Sequence, residues 1–284
     1  MIYKNEVFEE ERALYGASNI ALEGCAFEGA ADGESALKES EGVYAVHTRF
    51  ALRYPLWHAR CVRLEGCEMT EGCRAPLWYA EDVTLKDTEI RGVKVVRECR
   101  AVSLLNTRTE SAEFGWFSSG IRIKGGSLSG EYAFLNSSCI EIEELSFSGK
   151  YSFQYTRDVV IKNAVLKTKD AFWHAKNITV YDSLIEGEYL GWYSENLRLV
   201  RCTLRGTQPL CYARGLVLED CRMENADLAF EKSEVTATVI GKIDSVKAIA
   251  AGTVVCDECG AVLPENDGSE GEGKLLLRSE VLHK

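Results

Sequence analysis

Trp57-His58-Ala59-Arg60 and Trp173-His174-Ala175-Lys176 are one phrase written twice in this chain. Each sets an imidazole beside an indole and two residues before a fixed cation. Such a set could do three kinds of chemistry. An imidazole moves protons near neutral pH. A guanidinium or ammonium neutralises a carboxylate or phosphate. Aromatic rings offer a sugar an apolar surface. Related phrases occur at Trp78-Tyr79, Trp116-Phe117 and Trp192-Tyr193, and at Cys211-Tyr212-Ala213-Arg214, where cysteine replaces the indole.

The phrases recur because the chain repeats. Blocks of 19 residues begin at Ile121, Ile140, Val159, Ile178, Leu197 and Leu216, and the register extends back through Val102, Val83 and Val43 and on to Val235. Val62 opens a block of 21 residues and Ile20 one of 23, so about thirteen turns are countable. Position 1 is Ile, Val or Leu, position 3 is apolar and position 2 is mostly polar, the alternation of a strand with one buried face. Position 6 collects small residues, among them Cys25, Cys67, Cys202 and Cys221, which read as inert core. Position 10 is often glycine (Gly29, Gly92, Gly130, Gly149, Gly187, Gly206), as a turn with positive φ would require. Blocks tend to end on Asn, Asp or Gly, which tolerate the left-handed conformation of a sharp bend. Three short strands and three bends per block, stacked turn on turn, predict an all-β right-handed parallel β-helix, a solenoid. Residues 1–263 are expected to form one such domain, with 1–19 as an N-terminal coil and cap. PENDGSEGEG at 264–273 reads as an acidic loop, and the segment to residue 284 as a C-terminal cap.

All five tryptophans (Trp57, Trp78, Trp116, Trp173, Trp192) share position 15. Positions 13 and 17 are small or proline in most blocks, and strict alternation would put them inside with the indoles. Arg97 and Gln154 in the same column count against that. Pro55, Pro76 and Pro209 at position 13 suit the first residue of a strand. Alternation then sends positions 14, 16 and 18 to solvent. The resulting strip of ligand-binding candidates is His58, Arg60, Tyr79, Phe117, Tyr155, Arg157, His174, Lys176, Tyr193, Tyr212 and Arg214. A lyase would draw its base and its charge-neutralising groups from the densest part, His174 with Tyr155, Lys176 and Arg214.

This pattern resembles the single-stranded right-handed β-helix of the pectin-lyase-like superfamily, with an Asn ladder at one bend. It is also similar to an uncharacterised bacterial family that carries only a domain-of-unknown-function label. The resemblance covers about residues 1–255 and rests on the repeat. Of the linked motifs found in β-helix polygalacturonases, only Arg122-Ile123-Lys124 is present, and strand alternation alone produces it, so no catalytic role is carried over.

Composition narrows the field. A formal net charge of −11 argues against nucleic acid or an anionic membrane as partner. No apolar stretch is long enough to span a bilayer, and the first thirty residues lack a basic start and an apolar run, so a cytoplasmic location is expected. The eleven cysteines then read as reduced thiols. Cys256 and Cys259 form the one CxxC pair, half of a zinc knuckle at most, with His283 as a distant third ligand. No cofactor is evident, and Ca²⁺ and Zn²⁺ both stay open. Hydrolysis needs two carboxylates within about 5–10 Å, and Glu98 and Glu231 stand seven blocks apart, about 34 Å at strand spacing. Asp170, Glu188 and Asp227 are the remaining acids near the strip. The expected function is binding or processing of an oligosaccharide, acidic or neutral, along the aromatic and basic strip. If it is an enzyme, a saccharide lyase or glycoside hydrolase is expected. The alternative is a non-catalytic scaffold whose strip docks a protein partner or a second copy in a homo-oligomer.

Overall fold

The computed structural model describes residues 1–29 and 33–281. The chain is an all-β parallel β-solenoid of about fourteen turns with almost no helix, in keeping with the expected right-handed parallel β-helix. It divides into two compact units, residues 1–146 and 147–284.

In the first unit the long strand of each coil pairs in parallel with its counterpart one block on. Ile20 faces Val43, Val43 faces Val62, Val62 faces Val83, and Val102 faces Val83 on one side and Ile121 on the other. The second unit repeats this with Val159 opposite Ile178 and Ile178 opposite Leu197. The apolar positions of these strands are buried and the residues between them are exposed or half-buried. Register is therefore set by burial, since a slip of one residue would turn every core side chain to water. A shorter strand follows in most coils, such as Arg49–Phe50 or Val165–Lys167, or continues the long one, as in Arg100–Glu110, and its apolar residue extends a second buried column. Phe8, Phe27 and Phe50 stack in that column at 4.9 and 5.1 Å.

The position 6 column is core for a further reason. Cys67, Cys202 and Cys221 donate from Sγ to the carbonyl two residues earlier and to one in the preceding coil, as at Glu65 and Ala45 for Cys67. Thr48, Thr88 and Ser183 do the same from hydroxyls to the carbonyl two residues back. A small donor there satisfies the bend from inside. All eleven thiols are free.

The bend at the block end is left-handed as expected: Asn19, Asp82, Asp158, Asn177 and Asn196 all lie between φ 51° and 58°. In the second unit these side chains form the ladder. Asn177 Nδ2 donates to Asp158 Oδ1 at 3.0 Å, and Asn196 Nδ2 donates to Asn177 Oδ1 at 3.1 Å. Asn177→Ala loses both contacts and forces alanine into a left-handed backbone that costs about 1–2 kcal/mol. Asn177→Gly keeps the backbone. Chemical denaturation should therefore place the alanine variant below the glycine variant, and the reverse order would contradict a left-handed bend at this position.

Position 10 glycines answer to a different need from the one expected. Gly187 and Gly206 have positive φ (152° and 136°), whereas Gly29, Gly92 and Gly130 do not. What Gly130, Gly187 and Gly206 share is the preceding coil, whose carbonyl oxygens would meet an added Cβ at 2.0, 1.3 and 2.1 Å.

Candidate functional site

The third side of most coils is not a strand; Glu113–Phe114 and Tyr132–Ala133 pair there as short parallel strands, and in most other coils the backbone alternates. At positions 12, 14 and 16 the backbone is left-handed, as in Tyr151, Phe153 and Tyr155 (φ 43°, 57°, 56°) and in Asp170, Phe172 and His174 (51°, 62°, 53°). Alternation between extended and left-handed residues replaces the pleat. Position 14 amides donate to the preceding coil (Phe172 N–H to Ser152 O, 3.1 Å) and position 16 amides to the following one (His174 N–H to Trp192 O, 3.0 Å). Position 18 amides again donate backwards, as Lys176 does to Thr156 O at 2.8 Å. Coil-to-coil bonding on this side thus runs through even positions, which is why position 13 can be proline.

The side-chain pattern changes accordingly. Positions 13 and 14 are both core: Leu56, Leu77, Phe134, Phe153, Phe172 and Leu210 are at most 1 % exposed. The expectation that position 14 joins the outer face is therefore corrected, because a left-handed residue between extended ones cancels the two-residue period. Position 15 is neither core nor an open ladder. All five indoles are half-buried, and four donate from Nε1 to a carbonyl of the next coil: Trp57 to Ala75, Trp78 to Lys94, Trp116 to Tyr132 and Trp192 to Gln208, at 2.6–2.8 Å. Arg97 takes an indole's place between Trp78 and Trp116, its guanidinium 5.2 and 5.5 Å from their ring centres, which resolves the sequence conflict as a cation–π contact.

Positions 16 and 18 face solvent. In the first unit His58 stacks on Tyr79 at 4.7 Å, Phe117 is 43 % exposed, and Arg60 lies 3.9 Å from Glu81. In the second unit Tyr155, His174, Tyr193 and Tyr212 form one stack, with ring centres 5.3, 5.0 and 4.9 Å apart and planes within 12°. The cation column runs in register as Arg157, Lys176, Glu195 and Arg214. Lys176 pairs with Glu195 at 2.9 Å, while Arg157 and Arg214 have no ion pair among the described residues. Ring faces are turned toward neighbouring rings, so the ladder shows edges to solvent. The Tyr155 and Tyr193 hydroxyls and the His174 imidazole have no hydrogen-bond partner among the described residues.

The ladder ends at a charged cluster that the repeat did not announce, because the coil opened by Val235 is shorter than a full block and pairs Val235 with Gly252. Lys247 Nζ donates to Glu231 Oε1 at 3.0 Å and approaches Glu265 at 3.9 Å, with all three side chains 12–13 % exposed. Burial, with the Glu231 carboxylate alongside, pushes the Tyr212 phenol up to about 12 from its ordinary 10.0. An unfolded tyrosine ionises near 10, so this contribution is intact below about pH 10 and is lost as pH rises toward about 12. Urea midpoints from about pH 9 to about pH 11.5 should fall less in Tyr212→Phe than in the parent chain, and equal slopes would refute the assignment.

Glu98 lies 3.6 Å from Arg97 and Glu188 3.1 Å from Lys169, which itself sits over Tyr189. Burial raises the Asp170 carboxyl. Cys256 is fully buried and Cys259 donates to Ala261 O, and burial raises both thiols. His283 lies outside the described residues. Among those described, no group of three or more His, Cys, Asp or Glu side chains is placed to hold a metal ion. No described helix is long and apolar enough to cross a membrane.

A family model described as "Protein of unknown function (DUF3737)" matches residues 1–274. The chain belongs to that family. No curated protein matches it. Among solved structures, HetL, a pentapeptide repeat protein involved in heterocyst differentiation regulation from the cyanobacterium Nostoc sp. strain PCC 7120, is 11% identical over 78% of this chain and 92% of its own, with a TM-score of 0.23. QnrB1, a plasmid-mediated fluoroquinolone resistance protein, is 12% identical over 75% and 83%, with a TM-score of 0.18. The catalytic domain of a GH87 α-1,3-glucanase in complex with nigerose is 10% identical over 97% of this chain and 63% of its own, with a TM-score of 0.26. For this member of the DUF3737 family, function must be argued from its own strip.

Proposed function

We propose that this protein is a non-catalytic binding scaffold that takes an extended oligosaccharide along the Tyr155–His174–Tyr193 ladder. The observation that carries the reading is a row of ring edges, one per coil at 5.0–5.3 Å, whose hydroxyl and imidazole groups have no partner among the described residues. A straight array of hydrogen-bonding groups at constant spacing suits a ligand that is itself a linear repeat of hydroxyl-bearing units. The flat strip favours recognition of a chain over enclosure of a small molecule, whose sites are concave. The acids nearest the ladder are engaged with Lys247, Lys169 and Lys176, which favours binding over hydrolysis. The pectin-lyase-like resemblance points the same way for ligand class and is kept as part of this proposal, with a cytoplasmic location.

Calorimetric titration with a panel of neutral and acidic oligosaccharides tests it. One class should bind, and Tyr193→Ala should weaken that binding about five- to ten-fold, as loss of a hydrogen bond and its stacked support would. Absence of binding across the panel, or unchanged affinity in the variant, would sink the reading.

In the first unit a second reading is favoured by Phe117, an exposed ring without a polar edge, next to Glu98. There the strip suits contact with a protein or a second copy of this chain. Sedimentation velocity over a concentration series should show association that Phe117→Ala abolishes; a concentration-independent monomer would dismiss the second-copy form.

A further inference from the structure

Resting on the oligosaccharide reading, we infer that His174 makes the ladder a proton-coupled binder of anionic saccharides, its imidazole charging as the ligand arrives. Tyr155 and Tyr193 cover the two faces of the ring at 5.3 and 5.0 Å, and Trp173 lies against it at 5.6 Å. The charged groups that face it are few. Arg157 stands on the preceding coil, Lys176 on its own and Glu195 on the following one, with Tyr155 and Tyr193 as the titratable neighbours. Lys176 and Glu195 neutralise each other.

Arg157 is the cation beside the ring that has no ion pair among the described residues. A bound carboxylate or sulfate answers both groups. It neutralises Arg157 and accepts a charge-assisted hydrogen bond from the imidazolium edge. Binding and protonation therefore favour each other, and by linkage the coupling is reciprocal.

Trp173 supplies an independent sign that this coil differs from its neighbours. It is the one indole of the five whose Nε1 is buried without a partner, and it stacks at 27° on the following ring. Trp57, Trp78, Trp116 and Trp192 all donate across coils, and Trp78, Trp116 and Trp192 meet the ring that follows them edge-on at 79–89°. The Trp173 arrangement forgoes a hydrogen bond and keeps an aromatic face on His174.

The test uses the full chain, a carboxylated hexasaccharide and its carboxyl-reduced neutral counterpart. Affinity for the acidic sugar should rise about ten-fold from about pH 8 to about pH 5.5. Near the middle of that range, calorimetry in two buffers of different ionisation enthalpy should show net proton uptake. His174→Gln, and His174→Phe, which keeps a ring in the stack, should both bind with a flat pH profile and no proton uptake. His47→Gln should behave as the parent. Binding of the acidic sugar without pH dependence, equal dependence in both His174 variants, or equal affinity for the neutral sugar would overturn the inference and leave the scaffold reading standing. Failure of both sugars to bind at any pH would overturn both.

Discussion

Gly187→Ala is expected to lower the thermal midpoint of the second unit by about 10 °C. The added methyl would fall 1.3 Å from Thr168 O in the coil behind, and the residue has φ 152°, a conformation that is almost exclusively glycine's. Relief requires the two coils to separate locally. That strains the bond from Gly187 N–H to Arg205 O on the other side and the close seat of Gly206 against Gly187 O. Backbone strain of about 1–3 kcal/mol and the disturbed coil contacts together give at least about 3 kcal/mol, near the upper end for a point mutation. At about 2–4 °C per kcal/mol for a unit of this size, the shift is large enough to read by circular dichroism. Gly16→Asn is the contrast. Gly16 has φ 63°, which asparagine tolerates, and open space where its Cβ would go, so the shift should be within about 2 °C. Comparable shifts in both would mean that coil stacking does not explain the position 10 glycines.

Phe153→Ala should destabilise by about 3–5 kcal/mol, the range for deleting a fully buried aromatic ring. Phe153 is 0% exposed, stacks on Phe172 at 5.2 Å and meets Phe147 edge-on at 6.5 Å. Two residues on, Tyr155 is 49% exposed, and Tyr155→Ala should change stability by less than about 1 kcal/mol while removing one end of the ladder. Had the third side of the coil been a pleated strand, both residues would share a face and the two variants would behave alike. Urea unfolding of the pair distinguishes the cases.

These variants also mark where sequence reading stops. The repeat, the strand faces at positions 1 to 3, the small column at position 6 and the left-handed block ends follow from residue type alone, because each has one dominant cause: burial, or tolerance of positive φ. Position 14 defeats that logic. Leucine and phenylalanine are poor candidates for a left-handed backbone, so Leu56 and Phe153 gave no sign that the two-residue period breaks there. The indole column shows the same limit. Small neighbours suggested a buried Trp, and the half-buried outcome depends on carbonyls one coil away, such as Ala75 O for Trp57. His58, Tyr155, His174 and Tyr193 were legible as an outward column, but not that they stack on each other and present their edges. Ring orientation is settled by the spacing between coils. Lys247 meets Glu231 because the coil opened by Val235 is shortened, which no strictly periodic argument foresees.

A ligand should meet the molecule along the Tyr155–His174–Tyr193 ladder. Hydroxyl-radical footprinting read by mass spectrometry, with and without the oligosaccharide that binds best, locates it residue by residue. Tyr155, His174 and Tyr193 should lose most of their oxidation when the sugar is present, while Tyr44, exposed on another side of its coil, keeps its own. Unchanged oxidation across all three ladder rings, with protection appearing elsewhere, would contradict the account.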